Sequence, residues 1–380
     1  MRKDFKLTHR KGRFIQVCFA YNPSRWISTG THDKTEAIVW ATQHLGAGMP
    51  DSIKDKLTLE NFARPFVDND FKQLQDRDVA RGKIIGSQKY ANIAALIQRY
   101  IIPAQGKFII KHITSTLVED WLVQEKDITN CTKNSILYAY KLLLNEAIRA
   151  GVIVDNPIEK IPSFAYHSKE KECFTLTELN TLFPQDKDEL IELWGGLMWA
   201  TYFCILRDTG FRPGEVAGLS PSCINKDGGV YTEQSINPVT HLLQESIKTT
   251  HKGQAYKIGY LSQQTLNLVN ELKQTDRVKK FNLLFTVQTK SLYITTASGN
   301  AQLKKVCEKI NLDLGKRTLY SFRHTFNTMI FNKVDEKTRL ELMGHTANVK
   351  TYDHRTAEDR LKNLTTAKNT IENLYTDEVV

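Results

Sequence analysis

The sequence predicts a mainly α protein with a small β-sheet, an α+β arrangement in three parts: a short N-terminal strand and helix module, a helical middle, and a larger C-terminal domain mixing helices with strands. Three observations predict it. Apolar residues recur at helical spacing from Leu57 to about Ile161. Alternating segments concentrate between residues 228 and 262, with helical periods on either side. The first 47 residues alternate and then turn helical once, too short a stretch for more than a very small domain.

In the N-terminal module, Lys11 to Tyr21 alternates with Ile15, Val17, Phe19 and Tyr21 on one side, and Asn22-Pro23-Ser24 turns the chain before Trp26 to Thr29. A helix follows from Lys34 to His44, with Ala37, Ile38, Trp40 and Ala41 inward. The module spans 1–47, and the glycine- and proline-containing run after it gives a linker over 48–56. The helical domain covers 57–162. Tyr90, Ile93, Ala94, Ile97 and Ile101 mark one helix, which Pro103 is expected to end. Thr114 caps the next, through Trp121 and Leu122. The longest runs from Lys133 to Ala150 with Ile136, Tyr140, Leu143, Leu144, Ala147 and Ile148 inward, and Gly151 closes it. The polar, basic stretch at 163–171 is a hinge.

The last domain covers 172–380. Thr175 or Thr177 caps its first helix, around Leu179 and Leu182, and a long apolar helix runs from Ile191 to Leu206. Three strand segments follow, the last placing Tyr256, Ile258 and Tyr260 on one face, with a hairpin turn at Lys252-Gly253-Gln254. A helix from Ser321 to about Phe331 carries Phe322, Phe326, Met329 and Ile330 on its apolar face. Asp335 caps another, which stops at Gly344. From about Ala357 to Tyr375 a final helix bears the stripe Leu361, Leu364, Ala367, Ile371 and Leu374, which needs a groove on its own domain or on a neighbouring protomer.

A chain of 380 residues is long enough for two or three domains, each with a core. Its net charge of +10, with basic residues spread along the chain, points to an anionic partner, nucleic acid first. The six cysteines, Cys18, Cys131, Cys173, Cys204, Cys223 and Cys307, form no C-x-x-C pair, which argues against a zinc module or disulfide scaffold and for reduced thiols in the cytoplasm. No apolar run reaches membrane-spanning length, and the charged N-terminus lacks a signal-peptide core.

The chemistry concentrates between Thr318 and Tyr352. Arg323 and His324 begin one helix, His345 follows the end of a second, and Tyr352 lies a short loop later. Two helices with tight ends thus bring an arginine, histidines and a tyrosine toward one point, a phosphate site with a hydroxyl nucleophile beside it. Upstream, Arg212 lies in a tight turn before Pro213-Gly214-Glu215, with Glu215 as a buried partner orienting an arginine.

The string Y-S-F-R-H-T-F, then L-M-G-H, then a tyrosine resembles the second catalytic box of tyrosine recombinases, the phage-integrase family, and DTGFRPGEVAGLSPSCI from Asp208 resembles the first. The resemblance implies that Tyr352 is the nucleophile, that Arg212 and Arg323 hold the phosphate, and that His345 hydrogen-bonds it. It also places a catalytic lysine on the hairpin; Lys248 fits best and Lys252 competes, the register being open. Tyr352 follows His345 more closely than the family commonly shows. Tyr320 stands where the family usually has histidine, three residues before Arg323. A phenol donates to a phosphate oxygen but is a poor base near neutral pH. His324, about a hundred degrees around the helix from Arg323, is expected to pack or cap.

The same resemblance makes 57–162 a core-binding domain of SAM-like type and 1–47 an arm-type DNA-binding module, with a capping subdomain the competing reading. It implies an enzyme that breaks and rejoins DNA through a covalent 3′-phosphotyrosine, needing neither ATP nor metal. The expected partners are double-stranded DNA at recombination sites, a homotetramer on that DNA, and accessory DNA-bending or directionality proteins. The alternatives are a type IB topoisomerase-like nicking-closing enzyme and a catalytically silent DNA-binding regulator.

Overall fold

The computed structural model describes residues 5–9, 12–19, 26–45, 55–83, 88–166, 171–232, 234–238, 240–244, 257–287, 292–344 and 357–373. The protein is mainly helical with small antiparallel sheets, and it divides into two compact units, Met1–Ser168 and Lys169–Val380. Among the described residues no single helix is long and apolar enough to cross a membrane.

The first unit opens with an antiparallel sheet of β1 (Phe5–Thr8), β2 (Gln16–Phe19) and β3 (Trp26–Ser28), in that order. The first strand was not among the expected elements. Helix α1 (Lys34–Leu45) buries Ala37, Val39 and Ala41, whereas Ile38 and Trp40 are only half-buried, a change from the inward face read off the sequence. The cause is packing on two sides. Ala41 clusters with Val17 of the sheet, while Val39 joins a helical core with Leu57, Leu59 and Phe62, so no single stripe describes the helix.

That helical core is built by α2 (Leu59–Val67), α3 (Lys72–Ala80), α4 (Lys89–Leu96), α5 (Ile102–Gln105), α6 (Ser115–Gln124) and α7 (Asn130–Arg149). Thr114 caps α6 by accepting from the Leu117 N–H. Helix α7 buries Ile136, Tyr140, Leu143, Leu144 and Ala147, leaves Ile148 half-buried, and is followed by Gly151 at φ 66°. Pro103 does not end its helix. A π-helical turn at Ile97–Ile101 widens the backbone ahead of it, the Ile102 N–H donating to the Ile97 carbonyl, and the chain continues as α5.

The second unit is organised around α10 (Leu197–Thr209), in which every residue from Ala200 to Thr209 is buried. The expected long helix is two. Gly195 at φ 74° and Gly196 at φ 134° break it by about 100° between α9 (Lys187–Trp194) and α10, because both positions adopt backbone angles that side chains disfavour. Trp194, at the bend, stacks on Phe203 at 3.9 Å and donates its indole N–H to the Leu182 carbonyl. Leu182 ends α8 (Leu176–Leu182), which Thr175 caps in a reciprocal box with Glu178.

After α10 come the short α11 (Pro213–Ala217) and strands β4 (Gly229–Thr232), β5 (Ser235–Ile236), β6 (Leu243–Gln244) and β7 (Lys257–Tyr260). β4 pairs with β7 and β5 with β6, all antiparallel. The buried face of β7 is Lys257 and Gly259, whereas Ile258 and Tyr260 are half-exposed, opposite to the apolar face expected. Crowding explains the glycine: a Cβ at Gly259 would meet Phe211 and Thr209 at 3.1 Å. The expected turn at Lys252-Gly253-Gln254, and Tyr256, lie outside the described residues.

Helices α12 (Gln263–Leu272), α13 (Asp276–Phe281) and α14 (Thr296–Lys309) lead to α15 (Leu319–Ile330) and α16 (Glu336–Leu342). Thr318 caps α15, Asp335 caps α16 by accepting from the Thr338 N–H at 3.0 Å, and Gly344 follows at φ 61°. Ala367 and Ile371 of α17 (Ala357–Asn373) are buried in this unit's own core, so part of the C-terminal stripe has its groove in cis.

Candidate active site

The C-terminal end of α10 is fastened before the chain reaches Arg212. Asp208, fully buried, accepts from the Ser262 backbone N–H and hydroxyl at 2.8 Å each, from Thr265 at 2.6 Å and from Arg207 Nε at 2.8 Å. Ser262 is also the N-cap of α12, so one carboxylate ties two helix ends together. A buried carboxylate is costly unless its oxygens are hydrogen-bonded, and these donors supply that.

Gly210 then turns the chain at φ 57°, and Arg212 becomes the N-cap residue of α11 with Pro213 in its first turn. The Tyr202 hydroxyl donates to the Pro213 carbonyl at 3.2 Å. Glu215, one turn on, accepts from the Arg212 backbone N–H through Oε2 at 2.8 Å and from Arg212 Nη1 through Oε1 at 2.6 Å. Glu215 is thus the orienting partner that the sequence suggested.

Lys257, which sequence reasoning missed, completes this cluster. Its Nζ lies 3.1 Å from Glu215 Oε2 and 4.1 Å from the centre of the Phe211 ring, with its side chain wholly enclosed. Burial pushes the ammonium down to about 7, with Arg323 and Arg212 adding repulsion and Glu215 opposing it. Burial alone would raise the Glu215 carboxyl. Lys257 and Arg212 outweigh it and hold that group well below the carboxylate range. The available signal was a lysine sharing a strand face with a glycine, but a lysine in a strand ordinarily reads as solvated.

Arg323 on α15 arrives from the opposite direction. Its Nη1 donates to the Gly210 carbonyl at 2.8 Å and its Nη2 to the Met343 carbonyl. One guanidinium therefore grips both the turn that carries Arg212 and the chain immediately before Gly344. Burial lowers the Arg323 pKa to about 10, with repulsion from Arg212 next, and Glu215 and Tyr320 acting the other way. Arg323 stays charged near neutral pH, within electrostatic reach of Arg212 and of the carboxylate that holds Arg212.

Tyr320 lies in the first turn of α15, exposed and within electrostatic reach of Arg323. His324 is half-buried, and burial lowers its pKa, with repulsion from Lys171 and Arg323 adding to it. Arg212, Arg323 and Tyr320 are thus the described members of the expected set. Lys248, Lys252, His345 and Tyr352 lie outside the described residues.

An arrangement of this kind can hold a phosphodiester: two planar cations match its oxygens, and a fixed carboxylate keeps one of them aimed. The fold is shared with solved integrases. Three solved structures that share it are the Tn1549 transposon integrase in complex with a circular intermediate DNA (TM-score 0.57, 16% identity, 81% of this chain and 99% of that one), a lambda integrase dimer bound to a COC′ core site (0.56, 17%, 95% and 97%), and a lambda integrase tetramer bound to a Holliday junction (0.53, 16%, 92% and 98%). No family model matches the chain, and no curated protein matches it in sequence.

Proposed function

We propose that this protein is a site-specific tyrosine recombinase, the integrase of a phage or other mobile element. The observation that carries the reading is the Arg323 guanidinium bound to the carbonyls of Gly210 and Met343, which draws the two sequence boxes to one point beside Arg212. The fold shared with integrases solved on DNA supports it.

In this reading the Tyr352 phenol gives its proton to water as its oxygen attacks the scissile phosphorus, and the bond to the 5′-oxygen breaks, leaving a 3′-phosphotyrosine. Arg212 and Arg323 stabilise the charge that builds on the non-bridging oxygens, where removing one such donor costs about 10²–10³ in rate. Tyr320 and His345 donate hydrogen bonds to the same phosphate. Lys248 protonates the departing 5′-oxygen. The 5′-hydroxyl of a second duplex then attacks the phosphotyrosine and releases Tyr352, so the phosphodiester is exchanged without ATP. In the same reading 57–162 binds the core site and 1–47 distant DNA sites, as the family resemblance implies, with a homotetramer holding two duplexes.

The test is a pair of assays on DNA from the flanks of the native element. A nicked duplex that loses its 5′ fragment on cleavage should accumulate covalent protein, and two duplexes together should yield recombinant strands. Covalent product without recombinants assigns the protein to nicking and closing; binding without covalent product makes it a silent regulator.

A further inference from the structure

We infer that Lys257 is a positioning residue for Arg212: its ammonium occupies one oxygen of Glu215, so that this carboxylate holds the Arg212 guanidinium by a single bond and leaves the rest of the fork aimed at the phosphate. The inference rests on the recombinase reading and adds to it a residue outside both sequence boxes.

Packing alone gives no reason for a lysine here. A wholly enclosed ammonium is costly to desolvate, and an apolar chain of the same length would cover the Phe211 ring as well. What only a cation supplies is a donor to Glu215. Oε2 receives Lys257 Nζ at 3.1 Å and the Arg212 backbone N–H at 2.8 Å, while Oε1 receives Arg212 Nη1 at 2.6 Å. With Oε2 engaged, the carboxylate meets the guanidinium through one oxygen. Without Lys257, Oε2 keeps only the Arg212 backbone N–H, which leaves the carboxylate free to turn and chelate the guanidinium through both oxygens, the preferred geometry of an arginine and a carboxylate, and so draws the fork back from the phosphate. Lys257 itself is sealed behind Phe211 and Glu215, so it touches no substrate and does not compete with Lys248 as proton donor.

The experiment uses the full chain on nicked site DNA, scoring DNA affinity and the single-turnover rate of covalent complex formation separately. Lys257→Met keeps the stem and removes the ammonium. The expected result is affinity near wild type with a covalent rate about 10²-fold lower, the loss that roughly 1 Å of misplacement causes. In an Arg212→Lys background, which has no fork to aim, adding Lys257→Met should cost no more than about threefold, since coupled residues do not add. Equal losses in both backgrounds would mean general destabilisation and overturn the inference, as would wild-type cleavage by Lys257→Met. Should Lys257→Met fail to fold, the pair Lys257→Met with Glu215→Leu removes both buried charges. Because Lys257 acts only through Glu215, that chain should cleave within about threefold of Glu215→Leu alone, and a further loss beyond that overturns the inference. A wild-type protein that binds site DNA but forms no covalent complex removes the recombinase reading itself; an active wild type beside an unaffected variant removes this inference alone.

Discussion

Gly210→Ala should disable the site from a buried position. Gly210 adopts φ 57°, where an L side chain costs about 1–2 kcal/mol. A Cβ there would also lie 2.5 Å from Phe326 Cδ1 and 2.9 Å from its Cβ and Cγ. Phe326 is buried under the turn in the core of the second unit, so relief requires moving an enclosed ring, at about 1–3 kcal/mol for overpacking. Together the substitution should cost about 2–5 kcal/mol. It should also displace the carbonyl that accepts from Arg323 at 2.8 Å, two residues ahead of Arg212. Hydrogen exchange resolved by segment is the assay, because it reports α10 and α15 separately from the first unit. Protection in those helices should fall by the stated amount while that of α7 is unchanged, and cleavage should fall further than affinity. A loss under about 1 kcal/mol, below what the backbone angle alone predicts, would refute the packing argument.

Tyr320→Phe should slow cleavage by roughly 10- to 100-fold, since a hydrogen bond to a charged group contributes about 1.5–3 kcal/mol, while Tyr320→His should retain or raise it; equal activity of Phe and wild type would make the residue structural. DNA binding should weaken steeply with salt, and a slope of log K against log salt shallower than about −3 would mean too few phosphates are neutralised for both units to contact the duplex. Folding stability should rise with pH between about 7 and 10.5, because the Lys257 ammonium is lowered from 10.5 to about 7 by burial and the unfolded chain binds the extra proton in that window. Its contribution is complete above the unfolded value and lost as pH falls through 7, so Lys257→Met should flatten the difference across a series of denaturant melts.

Local rules read well where one interaction decides the structure. Thr114, Thr175, Asp335 and Gly344 begin or stop helices as their side chains and backbone angles demand. Arg212 and Arg323 converge because the residues around them set two tight turns. The sequence reading failed where tertiary packing overrode a single period. Helix α1 is packed on both sides, so no one stripe describes it. Pro103 was accommodated by a π turn that nothing local announces. The paired glycines at 195 and 196 were visible as letters, but the apolar period running through them masked the bend. Lys257 was illegible because its partner, Glu215, lies 42 residues away, and only the fold brings the two together. For α17, the burial of Ala367 and Ile371 in cis means that removing 357–380 would strip core residues as well as any intersubunit contact. Truncation is therefore a poor test of assembly; substitutions on its exposed positions, such as Thr365 and Thr366, are a cleaner one.

The central claim is that Tyr352 becomes covalently joined to DNA. Trapping the full chain on a nicked site duplex, digesting it and sequencing the DNA-linked peptide measures this directly. The account predicts a single phosphopeptide spanning Tyr352, and its loss in Tyr352→Phe with DNA binding intact. A linkage at Tyr320 or Tyr375, or undiminished trapping by Tyr352→Phe, would contradict it.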